Sequence, residues 1–412
     1  MVSSRRGARW LTAAALALLV GAPGTAAVAG PTPEPSVATP TTPHPGGPPE
    51  GSSPDGTVVG GDALGERGFV LPDDAPALPT DITAQGWLIA DLDGGEVLAA
   101  RDPHGRYYPA STLKTLTLLA LHDELDPAAV VTGTVEDSSA EGTKVGLVEG
   151  GKYPVPLLFQ ALMMASGNDA AWALTRAAGG PEQTLELMNG TASQLQAYDT
   201  IAGTPSGLDV AGQSSSPYDL ALIMRQVVDD PELLAIVRTP TAVMPAVPPR
   251  YPAYQIQNQN PMLTSYPGML AGKNGFTDAA RYTFVGAAER GGRRLVVSLM
   301  LGEQRPIPLV AQAARLLDWG FALPAGTPPV GELVRPRPPG VPAPTSRPAQ
   351  PPTRATADPA QPPLVSGGAD DQPAADPAPV LLVGLGLGSA LLVAVLARSR
   401  DRHPQRHPHR RD

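Results

Sequence analysis

Regular apolar periodicity is confined to one central stretch of the 412 residues, from about residue 60 to residue 322. Residues 86–92 (GWLIADL), the turn residues Asp93, Gly94 and Gly95, and residues 96–100 predict a strand hairpin. Leu113, Leu116, Leu119 and Leu121 recur at helical spacing, so a helix with a buried face is expected over 111–125. Residues 156–165 predict a second apolar helix, interrupted at Ser166-Gly167-Asn168, and 169–178 a third that stops at Gly179-Gly180. Residues 282–288 and 295–301 flank Gly291-Gly292 as a second hairpin, and 309–319 form a closing amphipathic helix. Strands at both ends with helices between them predict an α+β fold: one antiparallel sheet flanked by helices, with a helical subregion.

The flanks differ in composition. Most of the fifty prolines and many of the forty-four glycines fall there. Residues 1–29 carry Arg5, Arg6 and Arg9, an apolar stretch, and Ala27-Val28-Ala29, which together predict a cleaved export signal. Residues 30–59 are rich in Pro, Thr, Gly and Ser and are expected to stay disordered. A domain at 60–322 is then followed by a Pro-rich linker at 323–379. At roughly 3.1 Å per residue, such a linker could hold the domain on the order of 100 Å from a membrane. Residues 380–397 are uncharged and mostly apolar, near the lower limit for a spanning helix, and 398–412 form a basic tail. Positive flanks stay cytoplasmic, so the domain is expected outside the cell membrane on a single-pass anchor. A net charge of −9 gives no basis for nucleic-acid binding. The absence of cysteine removes disulfides, thiolate nucleophiles and Cys-based metal sites, and nothing in the pattern calls for a cofactor.

Only four lysines stand against twenty-six arginines. Arginine cannot lose its proton in a protein, whereas a buried lysine readily does. Lys114 follows Ser111 by three positions at the start of an apolar helix, which sets an amine beside a hydroxyl. The helix N-terminus disfavours the protonated amine, so Lys114 is expected to act as the base for a nucleophilic Ser111. Ser166 and Asn168 sit in the break between two helices and are expected to face a cleft, where one could pass a proton and the other orient groups. Lys273 opens Lys273-Asn274-Gly275-Phe276-Thr277, where Gly275 would let a substrate backbone approach an edge strand. Lys273 would add fixed positive charge toward an anionic substrate end. Lys144 and Lys152 acquire no role.

The order S-x-x-K, S-x-N, K-x-G on a strand is the motif set of penicillin-binding proteins and class A β-lactamases. The chain resembles most closely the D-alanyl-D-alanine carboxypeptidases, the low-molecular-mass penicillin-binding proteins. Residues 162–171 (LMMASGNDAA), 204–209 (TPSGLD), 218–222 (YDLAL) and 317–321 (LDWGF) carry the likeness, which runs from about residue 71 to residue 321. It implies a penicillin-binding, β-lactamase-like transpeptidase fold. It also implies removal of the terminal D-alanine from peptidoglycan pentapeptide stems, through an acyl-enzyme on Ser111 with Lys114 as base. Ser166 would relay the proton and Asn168 orient the reacting groups. Backbone N–H groups of Ser111 and Phe276 would bind the oxyanion, and Lys273 and Thr277 the terminal carboxylate. β-Lactams would be covalent inhibitors at the same serine. Asn274 stands where the family usually has Thr, which bears on carboxylate recognition. Two alternatives remain: a catalytically weak, wall-associated scaffold, and a class A-like β-lactamase. The latter needs a glutamate four residues before an asparagine, yet Leu185 holds that place before Asn189, with Glu186 one residue later.

Overall fold

The computed structural model describes residues 51–341 apart from Ala325 and Pro339. The expected export signal, span and basic tail lie outside the described residues, as do most of the N-terminal arm and most of the linker. Among the described residues no helix is long and apolar enough to cross a membrane.

The chain opens with β1 (Phe69–Val70), β2 (Gly86–Asp91) and β3 (Glu96–Arg101). Next come α1 (Lys114–His122), β4 (Val130–Thr132), α2 (Val135–Ser138), β5 (Lys152–Pro154), α3 (Val155–Met164) and α4 (Asn168–Ala177). α5 (Pro181–Gln194), α6 (Pro217–Asp229) and α7 (Pro231–Arg238) complete this helical region, and β6 (Thr241–Met244) pairs with β7 (Tyr254–Gln257). A short α8 (Met262–Ser265) leads into β8 (Met269–Thr277), β9 (Arg281–Arg290) and β10 (Arg293–Gly302). The chain then forms α9 (Leu309–Ala322) and β11 (Gly331–Glu332). The main sheet runs β1-β3-β2-β10-β9-β8, with β11 added to β3, and its pairs are antiparallel. β8 is therefore an edge strand.

Both faces of the central strands are buried, which explains why they read as nearly unbroken apolar runs. On β10, Val296 and Met300 join the cluster under α1, α3 and α6, while Leu295, Val297 and Leu299 join the cluster under α9. β2 divides the same way, Leu88 and Ala90 against Trp87 and Ile89. The expected antiparallel sheet flanked by helices is present. Each such fully buried side chain contributes about 1.5–3 kcal/mol through removal of apolar surface from water.

Two expectations change in detail. The helix expected over 111–125 is a 3-10 turn at Ala110–Leu113 followed by α1, which ends at His122. Nearly all of α1 is buried rather than one face of it, because α1 threads between the sheet side and α3, α5 and α6. Ordered packing also extends past both expected boundaries. Before residue 60, Ser52 bridges Val58, and the Gly51 amide reaches Asp199. After residue 322, β11 pairs with β3, Leu333 is buried, and the Arg337 amide donates to the Gln194 carbonyl. Prolines at 324, 328, 329, 336 and 338 masked this extension in the sequence, because they punctuate an added edge strand rather than forbid it.

A buried polar network fastens the N-terminal arm to the helical region. Asp199 accepts from the Gly51 amide (2.9 Å), Arg106 Nε (2.9 Å) and His104 Nδ1 (2.8 Å). His104 Nε2 faces the Val59 carbonyl at 3.0 Å, so both ring nitrogens donate and the ring is an imidazolium. Burial alone would lower its pKa, but the hydrogen bond and charge of Asp199 offset this and hold it above the ordinary value. Asp199→Asn would strip the counter-charge from two buried cations. It should cost about 3–5 kcal/mol, read from urea unfolding midpoints; a loss under about 1 kcal/mol would mean that the network carries little of the stability.

Candidate active site

The nucleophile candidate sits in a strained turn. Ala110, just before Ser111, has φ +48°, a left-handed conformation that a non-glycine residue adopts only when its surroundings force it. Two glycines supply that force. A Cβ on Gly207 would lie 1.9 Å from the Ala110 carbonyl oxygen, and one on Gly275 would lie 2.7 Å from the Ser111 nitrogen. The turn is therefore wedged between the 199–216 loop and β8. Thr283 Oγ1 also donates to the Pro109 carbonyl at 2.9 Å.

The 3-10 geometry sharpens the Ser111–Lys114 relation. With three residues per turn, side chains at i and i+3 eclipse instead of being offset. Lys114 lies directly over Ser111, its Nζ 3.0 Å from the hydroxyl oxygen. The same amine donates to Asn168 Oδ1 (2.7 Å) and to the Ser206 carbonyl (2.6 Å), and the residue is fully buried. Burial chiefly drives the Lys114 pKa well below its ordinary value, and the nearby Lys273 charge lowers it further, while Asp169 opposes both. The helix terminus invoked from sequence is not the leading cause.

Ser166 adopts φ +57° between α3 and α4, and its hydroxyl oxygen accepts from Lys273 Nζ at 3.0 Å. Asn168 opens α4 with its main-chain N–H on the Thr143 carbonyl (2.7 Å) and its side-chain Nδ2 on the Glu141 carbonyl (2.6 Å). Sequence reasoning missed what holds this loop. The buried Asp169 carboxylate accepts from the amides of Val145 (3.0 Å), Gly146 (2.7 Å) and Leu147 (2.9 Å), fixing the segment that Asn168 leans on. An acidic residue in the first turn of α4 was the available signal. No side-chain pattern could have flagged the Ser206 carbonyl.

On β8, Lys273 also donates to the Asn274 carbonyl at 2.8 Å. Its charge is not fixed as expected: burial drags its pKa to about 7. Ser111, Ser166, Asn274, Gly275 and Phe276 line one cavity of roughly 380 Å³, joined by Gln259, Tyr282 and Gln304, residues the sequence reading did not single out. Thr277 is placed differently from expectation. Its hydroxyl donates to Asp209 at 2.9 Å, and it is not among the residues that line the cavity.

His104, Asp199 and Asp219 lie close enough to suggest a metal centre. Their polar atoms are already spent on Arg106, the Gly51 amide, the Val59 carbonyl and Thr200, which makes the cluster a proton-bonded network. The carboxylate that a class A β-lactamase would need is also missing from α5. Glu186 is exposed there, and Asn189 is occupied by the Leu185 and Ala202 backbone.

A sequence profile of the D-alanyl-D-alanine carboxypeptidase family, a peptidase family, matches residues 73–304. The chain is 44% identical over 258 residues to the D-alanyl-D-alanine carboxypeptidase DacB2 of Mycobacterium tuberculosis, covering 62% of this chain and 87% of that protein. It is 30% identical to DacD of Escherichia coli, covering 59% of this chain and 64% of that one. Among solved structures, a D-alanyl-D-alanine carboxypeptidase from M. tuberculosis superposes with a TM-score of 0.61 at 43% identity, over 64% of this chain and 99% of that one. A Streptomyces DD-transpeptidase gives 0.56 at 26% identity, over 60% of this chain and all of the other.

Sheet, flanking helices and the serine-centred cavity define a DD-peptidase of the penicillin-binding fold. Within that class the chain belongs to the D-alanyl-D-alanine carboxypeptidase family, and it is a serine-type D-alanyl-D-alanine carboxypeptidase.

The charges around Lys114 predict opposite shifts in pH dependence. Removing the Lys273 charge (Lys273→Met) should let the Lys114 pKa rise, moving the acid limb of β-lactam acylation to higher pH. Asp169→Asn removes the opposing influence and should move that limb to lower pH. Stopped-flow acylation across pH reads both, and a shift of the same sign in the two variants would refute the arrangement.

Proposed function

We propose that Ser111 is the nucleophile, Lys114 its base, and Ser166, Asn168 and the 273–277 segment the groups that handle the leaving D-alanine. One observation carries this reading: Lys114 Nζ lies 2.7 Å from Asn168 Oδ1 and 2.6 Å from the Ser206 carbonyl, two pure acceptors that would engage both N–H bonds of the neutral amine. In the neutral form the remaining lone pair would face Ser111, whose hydroxyl oxygen is 3.0 Å from Nζ and could then donate its proton. Burial lowers the Lys114 pKa well below its ordinary value, which favours the uncharged amine that can act as base.

The Ser111 oxygen attacks the carbonyl between the two terminal D-alanines while its proton passes to Lys114. The tetrahedral oxyanion falls to the backbone N–H groups of Ser111 and Phe276, on either side of the Gly275 contact. The proton that Lys114 took from Ser111 is relayed through the Ser166 hydroxyl to the nitrogen of the departing D-alanine, which leaves Lys114 neutral again. Water then cleaves the acyl-enzyme, with Lys114 taking its proton and handing it to the Ser111 oxygen as the ester bond breaks. Asn274, which lines the cavity, and Lys273 beside it are the groups proposed to meet the substrate carboxylate. Burial lowers the Lys273 pKa to about 7, and an arriving anion favours its charged form. Thr277 reaches that carboxylate only by giving up Asp209. Peptidoglycan stems ending in D-alanyl-D-alanine are the substrate, and β-lactams acylate the same serine. The arginine-led segment 1–29 and the apolar segment 380–397 support export and a C-terminal anchor, with a catalytic domain that packs from about residue 51 to about residue 337 and the Pro-rich remainder up to 379 as its tether.

Fluorescent penicillin should label the wild type and leave Ser111→Ala dark, with the label mapped to the peptide that carries Ser111. Lys114→Arg puts a permanently protonated group that cannot serve as base in its place, so acylation should fall by about 10²–10⁴-fold. Labelling of Ser111→Ala at the wild-type level, or normal acylation in Lys114→Arg, would overturn the assignment.

A further inference from the structure

A second cavity, of roughly 420 Å³, lies beside α4. Trp172, Ala140, Gly180 and Pro181 give it apolar walls, with Glu136 and Ser139 contributing polar groups. Thr175 also lines it, and the Thr175 hydroxyl is buried without a hydrogen-bond partner. Buried hydroxyls without a partner are uncommon in folded proteins.

The placement relative to the catalytic cavity is specific. Residues four apart share a helix face, so Asn168 and Trp172 lie on one stripe of α4, continued by Thr175 and Arg176. Asn168 holds Lys114 at one end of the stripe, while the other three residues line the second cavity. The 139–143 segment divides the two spaces, with Ser139 and Ala140 facing one and Thr143 facing the other. At about 1.5 Å per residue, the cavity begins some 6 Å from Asn168 along the axis and extends to about 12 Å.

That spacing suits the substrate. A D-alanyl-D-alanine stem is attached to an N-acetylated amino sugar, and four extended residues from the scissile bond span about 13 Å. The sugar's C–H face and acetyl methyl offer apolar surface to the indole, Pro181 and Ala140, and its hydroxyls and amide offer partners to Glu136, Ser139 and Thr175. We infer that this cavity is a subsite for an N-acetylated pyranose ring of the glycan whose stem peptide occupies the catalytic cavity. The inference rests on the reading of Ser111 as nucleophile given above.

The test compares two substrates on the full chain: a free pentapeptide ending in D-alanyl-D-alanine, and the same pentapeptide carried on its N-acetylated sugar. D-Alanine release should show a KM about tenfold lower for the sugar-bearing substrate, which corresponds to one good aromatic contact. Trp172→Ala should bring the ratio of the two KM values toward one. The near-isosteric Thr175→Val should reduce it by a smaller factor, which covers the case where the tryptophan variant folds poorly. Fluorescent-penicillin labelling reports the fold of each variant independently of the ratio. A wild-type ratio of one, or a ratio unchanged in both variants, removes the subsite and leaves the Ser111 assignment standing. Penicillin labelling of Ser111→Ala would instead remove the catalytic reading.

Discussion

Everything at this site depends on keeping one amine dry. Lys114 is sealed among α1, α4 and the 199–216 loop, and its partners Asn168 Oδ1 and the Ser206 carbonyl are neutral acceptors. A carboxylate partner in direct contact would have held the proton on nitrogen, against the base role proposed for Lys114. Asp169 is near enough to act electrostatically, but its oxygens are directed at the amides of Val145, Gly146 and Leu147. The same carboxylate therefore builds the cavity wall while staying off the amine. Solvation and hydrogen-bond direction, more than net charge, decide whether this lysine can accept a proton.

The scaffold around the amine is over-determined. The 199–216 loop supplies the Ser206 carbonyl, and isolated bridges between Tyr107 and Ser215 and between Ile201 and Ser214 hold its ends. Its base is fixed by Asp199, which gathers Arg106, His104 and the Gly51 amide. Left-handed residues at Ala110 and Ser166 persist because neighbouring elements leave them no room to relax. Reactive groups thus rest on buried polar contacts far upstream in the chain.

Much of this was legible in the sequence, for physical reasons. Long apolar elements such as α3, β9, β10 and α9 announce themselves by periodicity, and their limits differ from expectation by only a few residues at most ends. That Ser111, Lys114, Ser166, Asn168 and Lys273 come together was legible because the motifs are set by residue type and spacing. Three kinds of feature were not. Main-chain acceptors such as Ser206 leave no trace in side-chain identity. The 3-10 turn at Ala110–Leu113 looks like the start of an α-helix until the backbone is seen. The arms at 51–59 and 323–337 have turn-rich composition, and tertiary contacts with Asp199, β3 and α5 order them. Thr277 shows a further limit, since its role turns on which of two neighbours claims a single hydroxyl proton.

The scarcity of lysine also governs how the protein meets amine-reactive chemistry. Lys114 and Lys273 are buried, whereas Lys144 and Lys152 are exposed and lie in the segment between β4 and α3. Acylating dyes, cross-linkers and activated surfaces will find side-chain amines on that one stretch. A molecule tethered through it would be held in a nearly uniform orientation by coupling chemistry that usually gives many.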